Sequence, residues 1–546
     1  MSEDGSHEAT AVPGPAGRAA RRDPRRAPRG TWSLAGVLAG LAGLATSYVT
    51  AVALGVRESP VVAVAEALVR LTPGPVAEAA IGGLGSASKP LLLAGMGAAL
   101  LLVFAFAGRR QRRAWWQPLL VWLALGAIGA AAVLSAPVAT VPDLVPVLVG
   151  VVTWLFALSL LTTPLARLER IAVPRVGAGA EPGPEDSRRA TARAATRRAF
   201  LVRAGVVAAG AVVVGAAGRL VGRPRRAVEQ TRRLLRLPIT RPDVPDAALV
   251  GLEGVTPWQT PLPEFYLIHT AIVVPTIDPE QWELRIHGMV DREVRLTYAD
   301  LLAREVTEQW VTLTCVSNPV GGDLVGNAWW SGVRLAGLLA EAGVQPGADA
   351  VLQTSADGWT CSTPLDALTD DRGAMLAVGM DGAPLPIEHG FPVRTVVPGL
   401  YGYVSATKWV VDLEVTRFAD VAAYWTQRGW GERGPVKTSS RVDVPRSGAE
   451  VPAGDVRCGG VAWAQGTGIA AVEVALDGGA WQPAEIASPP TDDTWVQWAA
   501  TVEVEPGEHV LRVRATDKSG AVQTGVVRDV LPDGATGWHE VDFTAS

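Results

Sequence analysis

Apolar residues are concentrated in the first 221 positions of the chain, in runs of nearly constant length. Each run approaches the roughly 20 residues that a membrane-spanning helix needs. The runs cover residues 32–54, 90–108, 115–134, 144–161 and 201–221. A shorter apolar stretch, residues 61–71, is interrupted by Glu66 and Arg70 and predicts a helix at the membrane surface. The pattern therefore predicts an N-terminal region of five transmembrane helices.

The distribution of arginine predicts the orientation of these helices. Six arginines lie between positions 18 and 29 and four between positions 109 and 113, whereas residues 135–143 contain no Lys or Arg. Positive-inside counting places the N-terminus in the cytoplasm and everything after residue 221 outside. We therefore expect a basic cytoplasmic tail over residues 1–30, four transmembrane helices within 31–164, and a cytoplasmic linker over 165–199. The Pro/Gly/Ala/Arg-rich composition of that linker predicts that it is largely disordered.

The fifth apolar run, within residues 200–222, follows the pair Arg197-Arg198 and is only modestly hydrophobic. This pattern is typical of a twin-arginine signal, which exports folded proteins. The alternative is that the pair consists of ordinary positive-inside residues, and the sequence leaves both open.

Beyond residue 245 the chain has the pattern of a globular protein with two modules. Residues 246–430 mix predicted strands (282–287, 310–314, 350–354 and 408–416) with short helices (298–303 and 335–342), which indicates an α+β module. Residues 440–546 alternate apolar and polar positions in short runs, among them 471–476, 495–504 and 509–515. Short strands separated by Gly, Pro and Asp turns predict a β-sandwich.

Composition excludes several function classes. The net charge of −5 hides a split, because arginine dominates before residue 240 and acidic residues dominate afterwards, so no nucleic-acid partner is expected. None of the six histidines lies in an apolar run, and no Cys-x-x-Cys-His occurs, so we expect no haem on this chain. If the chain carries out electron transfer, its electrons would therefore pass through a separate partner protein.

Candidate chemistry centres on Cys315. The only two asparagines of the chain, Asn318 and Asn327, follow it within twelve residues. A predicted strand ends at the cysteine, and Asn-Pro and Gly-Gly then predict turns, where bare backbone lets a ligand approach closely. The alternative is a buried structural cysteine, which is how we interpret Cys361 and Cys458.

Several motifs of the exported region resemble the sulfite oxidase family of molybdopterin enzymes. They are Cys-Val-Ser-Asn-Pro-Val-Gly-Gly from Cys315, Gly-Asn-Ala-Trp-Trp-Ser-Gly-Val-Arg-Leu from residue 326, His-Gly-Phe-Pro-Val-Arg from His389, and Lys408-Trp409. The resemblance implies a molybdenum-molybdopterin cofactor with Cys315 as metal ligand and catalytic residue. It also implies an immunoglobulin-like C-terminal domain that forms a homodimer through residues 440–546.

The same resemblance implies the residues that bind the cofactor. His389 and Arg394 would contact it, and Ser405, Ala406, Thr407 and Lys408 would wrap its phosphate. A further set would line the pocket, namely Phe265, Tyr266 and Thr354.

Two departures from the family pattern concern the substrate. Animal and plant sulfite oxidases follow the cysteine with Gly-Asn-Arg, whose arginine helps to bind sulfite, whereas this chain has Val316-Ser-Asn-Pro319. In addition, Trp359 stands where a substrate-side tyrosine is usual. Together with Trp329 and Trp330, Trp359 predicts an aromatic pocket for a neutral S- or N-oxide. Arg334 or Arg394 would replace the missing arginine if sulfite is the substrate.

The sequence thus predicts a membrane-anchored, extracytoplasmic molybdenum oxidoreductase acting on a small molecule. The alternative is a catalytically inactive, membrane-tethered binding protein that interacts through its β-sandwich.

Overall fold

A computed structural model of the chain describes residues 29–546, apart from 55, 57–58, 75, 77–79, 81–82, 85–86, 137–138, 172–183 and 222–223. The basic tail predicted over residues 1–30 therefore falls almost wholly outside the described residues. The described residues form two compact groups. The first comprises 29–49, 97–127 and 147–218, and the second comprises Thr50–Met96, Ile128–Pro146 and Arg219–Ser546.

The N-terminal region is helical, as its apolar runs predict. The helices are α1 (Arg29–Ala53), α2 (Pro60–Leu71), α3 (Ser88–Gln111), α4 (Trp116–Leu134), α5 (Val145–Arg170), α6 (Pro184–Val221) and α7 (Pro224–Leu234). Within the described ranges, five helices are long and apolar enough to cross a bilayer: Gly30–Ala53, Ser88–Gln111, Trp116–Leu134, Val141–Arg170 and Ser187–Ala216. The short stretch at 61–71 forms a helix too, α2, while its position at the membrane surface stays a prediction.

Much of the linker predicted to be disordered is helical instead. Helix α5 continues to Arg170 and α6 begins at Pro184, so that only residues 172–183 lie outside the described residues. The reason is composition, because the Ala- and Arg-rich stretch before residue 200 is made of strong helix formers. Arg197 and Arg198 therefore lie on a continuous helix, where both are exposed.

An aromatic cluster forms the centre of the first group. The rings of Trp122 and Trp154 stack at 5.1 Å, and Phe104 packs on both at 5.5 and 6.0 Å. The Trp154 indole N–H donates to the Gly40 carbonyl oxygen at 2.9 Å. Small residues let helix backbones approach closely, and a Cβ on Gly36 would meet the Phe104 carbonyl oxygen.

Two sheets, one mixed and one antiparallel, form the first module after residue 245. Their strands are β1 (Glu283–Gly288), β2 (Val294–Thr297), β3 (Thr307–Thr314), β4 (Val325–Arg334), β5 (Ala350–Ser355), β6 (Thr360–Pro364), β7 (Met375–Met380), β8 (Ala383–Pro384), β9 (Arg394–Val396) and β10 (Val410–Thr416). One sheet has the order β2-β1-β10-β5-β6, and the other has β3-β4-β7-β8 with β9 paired to β7. Short helices α8 (Tyr298–Leu302), α9 (Leu335–Ala342) and α10 (Leu365–Thr369) pack beside them. The strands and helices predicted for this module are confirmed, with shifted ends.

The C-terminal module is a β-sandwich. Its strands are β11 (Ser439–Val444), β12 (Ala449–Val451), β13 (Gly454–Trp463), β14 (Ile469–Leu476), β15 (Gln482–Pro483), β16 (Glu485–Ile486), β17 (Val496–Val504), β18 (Gly507–Asp517) and β19 (His539–Ala545). The sheets have the orders β11-β13-β17-β16 and β12-β19-β18-β14-β15, and their alternating apolar residues share one core. Cys458 is fully buried in that core, as expected.

The sandwich also supports the strand that leads to Cys315. The Gln465 side-chain amide donates to the Thr312 carbonyl oxygen at 3.1 Å and to the Thr314 hydroxyl at 2.9 Å. From the other side, the buried Asn327 amide donates to the Trp258 carbonyl oxygen at 3.0 Å and accepts from the Thr312 hydroxyl at 3.1 Å. Buried polar bonds of this kind fix the end of β3 in one position.

Candidate active site

Cys315 is the first residue after β3 and begins a tight loop. Its N–H donates to the Leu324 carbonyl oxygen at 2.9 Å, and its own carbonyl oxygen accepts from the Asn318 N–H at 3.1 Å. The Asn318 side-chain oxygen accepts from the Leu324 N–H at 2.9 Å and closes the loop. The thiol therefore sits on a rigid base. Burial raises the pKa of Cys315, while the Ser317 N–H and hydroxyl and the charge of Lys408 act in the opposite direction.

A second loop brings His389 against Arg394. Gly390 turns the chain with φ +114°, and a Cβ at this position would lie 2.9 Å from the Arg394 Cβ and 3.3 Å from the Lys408 Cα. Only glycine combines that backbone conformation with so close an approach. The His389-Gly390 pair of the sequence motif thus brings the side chains of His389, Arg394 and Lys408 close together.

Arg394 is a buried cation. Its side chain is 3% exposed, its guanidinium lies 5.0 Å from the Trp330 ring, and it donates to the His389 carbonyl oxygen at 3.2 Å. Burial lowers the pKa of Arg394 to about 10, so the group remains charged at neutral pH. No ion pair with an acidic side chain forms at Arg394 within the described residues.

Lys408 is the second cation: the residue is partly exposed, but its amine nitrogen is buried and has no hydrogen-bond partner among the described residues. The following residue, Trp409, has φ +52°, a left-handed conformation that a bulky side chain rarely adopts and that marks functional sites. Burial lowers the pKa of Lys408 to about 7, and the charges of Arg394 and Lys89 act in the same direction. An unpaired buried amine is costly in a folded protein, which indicates that a ligand completes its bonding.

His389 also has an unfilled hydrogen bond. Its Nδ1 atom is buried without a partner among the described residues, and its ring packs edge-on to Phe265 at 5.6 Å. Burial lowers the pKa of His389 to about 3, helped by the charges of Lys408 and Arg394. The imidazole is therefore neutral at pH 7 and offers one donor and one acceptor nitrogen.

Phe265 and Tyr266 stack on each other at 5.4 Å but have different surroundings. Phe265 is buried against Trp330 and His389. Tyr266 faces the site: burial raises the pKa of its hydroxyl, the charge of Cys315 adds to the increase, and Arg394 opposes it. The hydroxyl is therefore protonated at neutral pH and can donate a hydrogen bond.

The structure does not bring every predicted residue into this cluster. Thr354 lies on the face of β5 opposite to Gln353, beside Thr360 and Asp412 and partly exposed. The hydroxyls of Ser405 and Thr407 point into the protein, to the Tyr401 carbonyl oxygen at 2.9 Å and the Cys361 sulfur at 3.1 Å. The Ala406 N–H is bonded to the Gly402 carbonyl oxygen at 3.0 Å. Of the four residues predicted to wrap a phosphate, only Lys408 presents an unbonded polar side-chain atom.

Sequence reasoning missed the network that supports this loop. The Thr395 hydroxyl donates to Gln353 at 2.7 Å and accepts from the Thr407 N–H at 2.8 Å, and Gln353 donates in turn to Thr363 at 2.6 Å. Gln353 and Thr395 are both fully buried. The alternation of buried and less buried positions along β5 could have indicated the inward position of Gln353, because Gln353 lies on the same buried face as Val351 and Ser355.

The predicted aromatic pocket is only partly formed. Trp330 is a core residue beneath Arg394, and Trp329 packs at 5.3 Å on Trp310, far along β3 from Cys315. Trp359 lines a cavity of about 10 Å³. Arg334 does not replace the missing arginine, since it lies nine residues along β4 from Val325, the partner of Thr314, or roughly 30 Å away.

No cluster of three or more His, Cys, Asp or Glu side chains that would hold a metal ion occurs among the described residues. A metal bound at Cys315 therefore needs additional ligands from elsewhere, which a metal-carrying cofactor provides.

Comparisons with known proteins agree with this geometry. Residues 271–425 match the model of the oxidoreductase molybdopterin binding domain, and residues 435–545 match the Mo-co oxidoreductase dimerisation domain. Sulfite oxidase of Gallus gallus is 30% identical over 353 residues, which are 54% of this chain and 74% of that protein. The chain belongs to the sulfite oxidase family.

Other relatives extend the comparison. The uncharacterized oxidoreductase YuiH of Bacillus subtilis (strain 168) is 33% identical over 180 residues, 33% of this chain and 87% of that protein. The sulfane dehydrogenase SoxCD from Paracoccus pantotrophus, a solved structure, is 25% identical and covers 53% of this chain and 79% of its own, with a TM-score of 0.44. The alternative of an inactive binding protein finds no support among these relatives.

Family membership makes the protein a molybdopterin-dependent oxidoreductase, and the site fits that cofactor. The pterin carries a phosphate, and two buried cations, Arg394 and Lys408, lack an acidic partner within the described residues. Neutral His389, beside Arg394, and the Tyr266 hydroxyl, near Cys315, add hydrogen-bonding groups to the site.

The Lys408→Met variant tests whether the site fits the cofactor, because it removes the charge of the side chain and keeps its length. We expect lower cofactor occupancy, together with a cofactor-free protein that is more stable by about 1–3 kcal/mol, because the unpaired buried amine is gone. Since the pKa of Lys408 is lowered to about 7 on folding, the gain is largest below that pH and fades toward about pH 10. Released-pterin fluorescence and thermal unfolding measure the two effects.

The exposed Lys518, which pairs with Asp492 in the sandwich, provides a matched control. Lys518→Met should leave the occupancy unchanged and bring no gain in stability. Full occupancy in Lys408→Met, or a loss of stability in its cofactor-free form, would contradict the assignment.

Proposed function

We propose that this protein is a membrane-anchored, extracytoplasmic molybdenum oxidoreductase. It transfers an oxygen atom between water and a small substrate in a two-electron reaction. The observation that carries the proposal is the convergence of two buried cationic groups, those of Arg394 and Lys408, which lack an acidic partner within the described residues and lie beside the Cys315 loop. That arrangement is costly in an empty protein and favourable around a phosphate-bearing cofactor.

Each residue of the site has a distinct proposed role. Cys315 ligates the molybdenum, which when bound supplies the two-electron oxygen-transfer chemistry. Arg394 and Lys408 bind the phosphate, Arg394 as a planar donor and Lys408 as a point charge. His389, neutral at pH 7, and the protonated Tyr266 hydroxyl orient the cofactor through hydrogen bonds.

Membrane anchoring is supported by the five apolar helices and by the arginine distribution of their loops. The exported region then lies outside the cytoplasm and exchanges electrons with a separate partner protein. We further propose that the sandwich, through residues 440–546, forms a homodimer with an immunoglobulin-like arrangement, which the match to a dimerisation domain supports.

The first prediction concerns the metal. The full chain purified from a host that makes molybdopterin should contain about one molybdenum and one pterin per chain. Cys315→Ser should abolish activity without lowering the melting temperature, whereas Cys458→Ser, in the sandwich core, should keep both metal and activity. Elemental analysis and thermal unfolding measure these properties. Metal-free wild-type protein would overturn the proposed function.

The second prediction concerns the substrate. Residues 316–319 after Cys315 carry no cation, and the nearby Arg394 and Lys408 are assigned to the cofactor. A sulfite dianion therefore lacks a charge-assisted hydrogen bond, which corresponds to roughly ten- to a hundredfold in affinity. We expect poor saturation with sulfite and better turnover of neutral S- or N-oxides in steady-state assays of one preparation. Saturation by low micromolar sulfite would identify the protein as a sulfite oxidase instead.

The third prediction concerns export. If Arg197-Arg198 is a twin-arginine signal, changing both residues to Lys should strand the folded region in the cytoplasm, where protease added to intact cells no longer reaches it. Arg188 and Arg189 lie on the same helix, and changing this pair to Lys should leave export unaffected. Unchanged protease accessibility in the first variant would show that Arg197 and Arg198 act only as topology signals.

A further inference from the structure

Arg428, a buried arginine of the first module (residues 246–430, the catalytic module), holds the C-terminal end of helix α2. The Arg428 guanidinium donates to the carbonyl oxygens of Arg70 at 2.8 Å and Thr72 at 2.9 Å, and it stacks 3.7 Å from the Tyr424 ring. The last carbonyl groups of a helix lack partners within the helix and carry partial negative charge. Arg428 donates hydrogen bonds to these carbonyl groups and places a positive charge next to their partial negative charge. Helix α2 is therefore fixed to the catalytic module at its C-terminal end.

Helix α2 makes a reciprocal contact. Arg70 donates to the Asp357 carbonyl oxygen at 3.3 Å and to the Ser135 hydroxyl at 2.8 Å. Gly358, with φ +81°, allows the approach, since a Cβ there would lie 3.0 Å from the Arg70 guanidinium. A cavity of about 10 Å³, with room for about one water molecule, lies between α2 and the segment that contains Trp359. The helix therefore closes this side of the catalytic module.

Lys89, in the first turn of α3, makes a third contact. Its amine donates to the carbonyl oxygens of His269 at 2.9 Å and Ala271 at 2.8 Å, and it lies 3.3 Å from His269 Nδ1. A cation in the first turn of a helix is opposed by the helix dipole. The chain has four lysines and 45 arginines, and two of the four are Lys89 and Lys408. The stability of α3 itself does not explain why a lysine occupies position 89, but the contacts of Lys89 with the catalytic module do.

The segment that Lys89 holds adjoins the proposed phosphate cation. The His269 ring packs edge-on to Trp409 at 5.8 Å, and Trp409 directly follows Lys408. Lys89 and Asp357 are both close enough to Lys408 to influence its charge. The same segment follows Phe265 and Tyr266, which line the other side of the site. Lys89, and Asp357 to which Arg70 donates, thus place the first turn of α3 and the C-terminal end of α2 near Lys408.

We propose that α2 and the first turn of α3 form the outer wall of the molybdopterin pocket and retain the bound cofactor. Lys89 is the positioning residue that holds the chain at His269–Ala271 against Trp409 and Lys408. This inference rests on the proposed function. If the exported region receives its cofactor before it crosses the membrane, the wall forms only after export. The wall then slows release of the cofactor and leaves its loading unchanged.

Lys89→Met in the full chain, purified in detergent, tests this role. The loss of pterin is followed over time by released-pterin fluorescence and by molybdenum per chain. Removal of one charge-assisted set of hydrogen bonds should make release roughly tenfold faster. Lys89→Arg, which keeps the charge and the donors, should restore slow release, and Lys518→Met should behave as wild type.

A second variant covers the case in which Lys89→Met is not recovered as folded protein. Arg70→Met removes the α2 contact with Asp357 and should also accelerate release. The proposed wall is contradicted if either variant releases the cofactor at the wild-type rate. It is also contradicted if a variant lowers the melting temperature of the cofactor-free form and leaves the release rate unchanged. Wild-type protein without pterin would instead refute the proposed function, so the two failures are distinguishable.

Discussion

The rest of the site depends on one electrostatic constraint, the burial of Arg394 and Lys408 without an acidic partner in the described part of the chain. A buried, unpaired charge costs several kcal/mol in a real protein. The fold tolerates this cost because Trp330 lies beneath Arg394 and because Gly390 lets the two loops approach closely. A phosphate-bearing cofactor offsets the cost, so folding and cofactor binding are linked.

Everything around these cations serves to hold them in place. The end of β3 is fixed by Gln465 from the sandwich and by Asn327 from β4, and this positions Cys315. The loop that carries Lys408 is held by the buried hydroxyl of Thr395 and the amide of Gln353. Preorganisation of this kind is what a metal ligand and a phosphate site require. The contacts of Arg70 and Lys89 extend the same principle to helices of the N-terminal region.

Local patterns predicted much of this arrangement. The strand that ends at Cys315, the helix Leu335–Ala342 and the short strands of the sandwich follow from periodicity and turn residues. Thr354 lies apart from the cluster around Arg394 and Lys408, because successive residues of a strand point to opposite faces and Gln353 is the one that points inward. The predicted disorder was wrong for residues 184–199, because helix propensity there outweighs polarity.

Other features cannot be read from local sequence at all. The contacts of Lys89 with His269 and of Arg428 with Arg70 join residues 180 and 358 positions apart. No periodicity encodes such a pairing, and a single buried Lys gives no sign of which atoms surround it. The inward orientation of the Ser405 and Thr407 hydroxyls is equally a matter of tertiary packing.

The most direct test of the central claim is the thermal unfolding of the full wild-type chain from two hosts, one that makes molybdopterin and one that does not. If the cofactor neutralises the buried cations, the loaded protein should melt at a clearly higher temperature than the empty one. The difference should shrink as the pH rises above about 7, where Lys408 in the empty protein loses its proton. Equal melting temperatures for the two preparations at neutral pH, with pterin present in the first, would contradict the account.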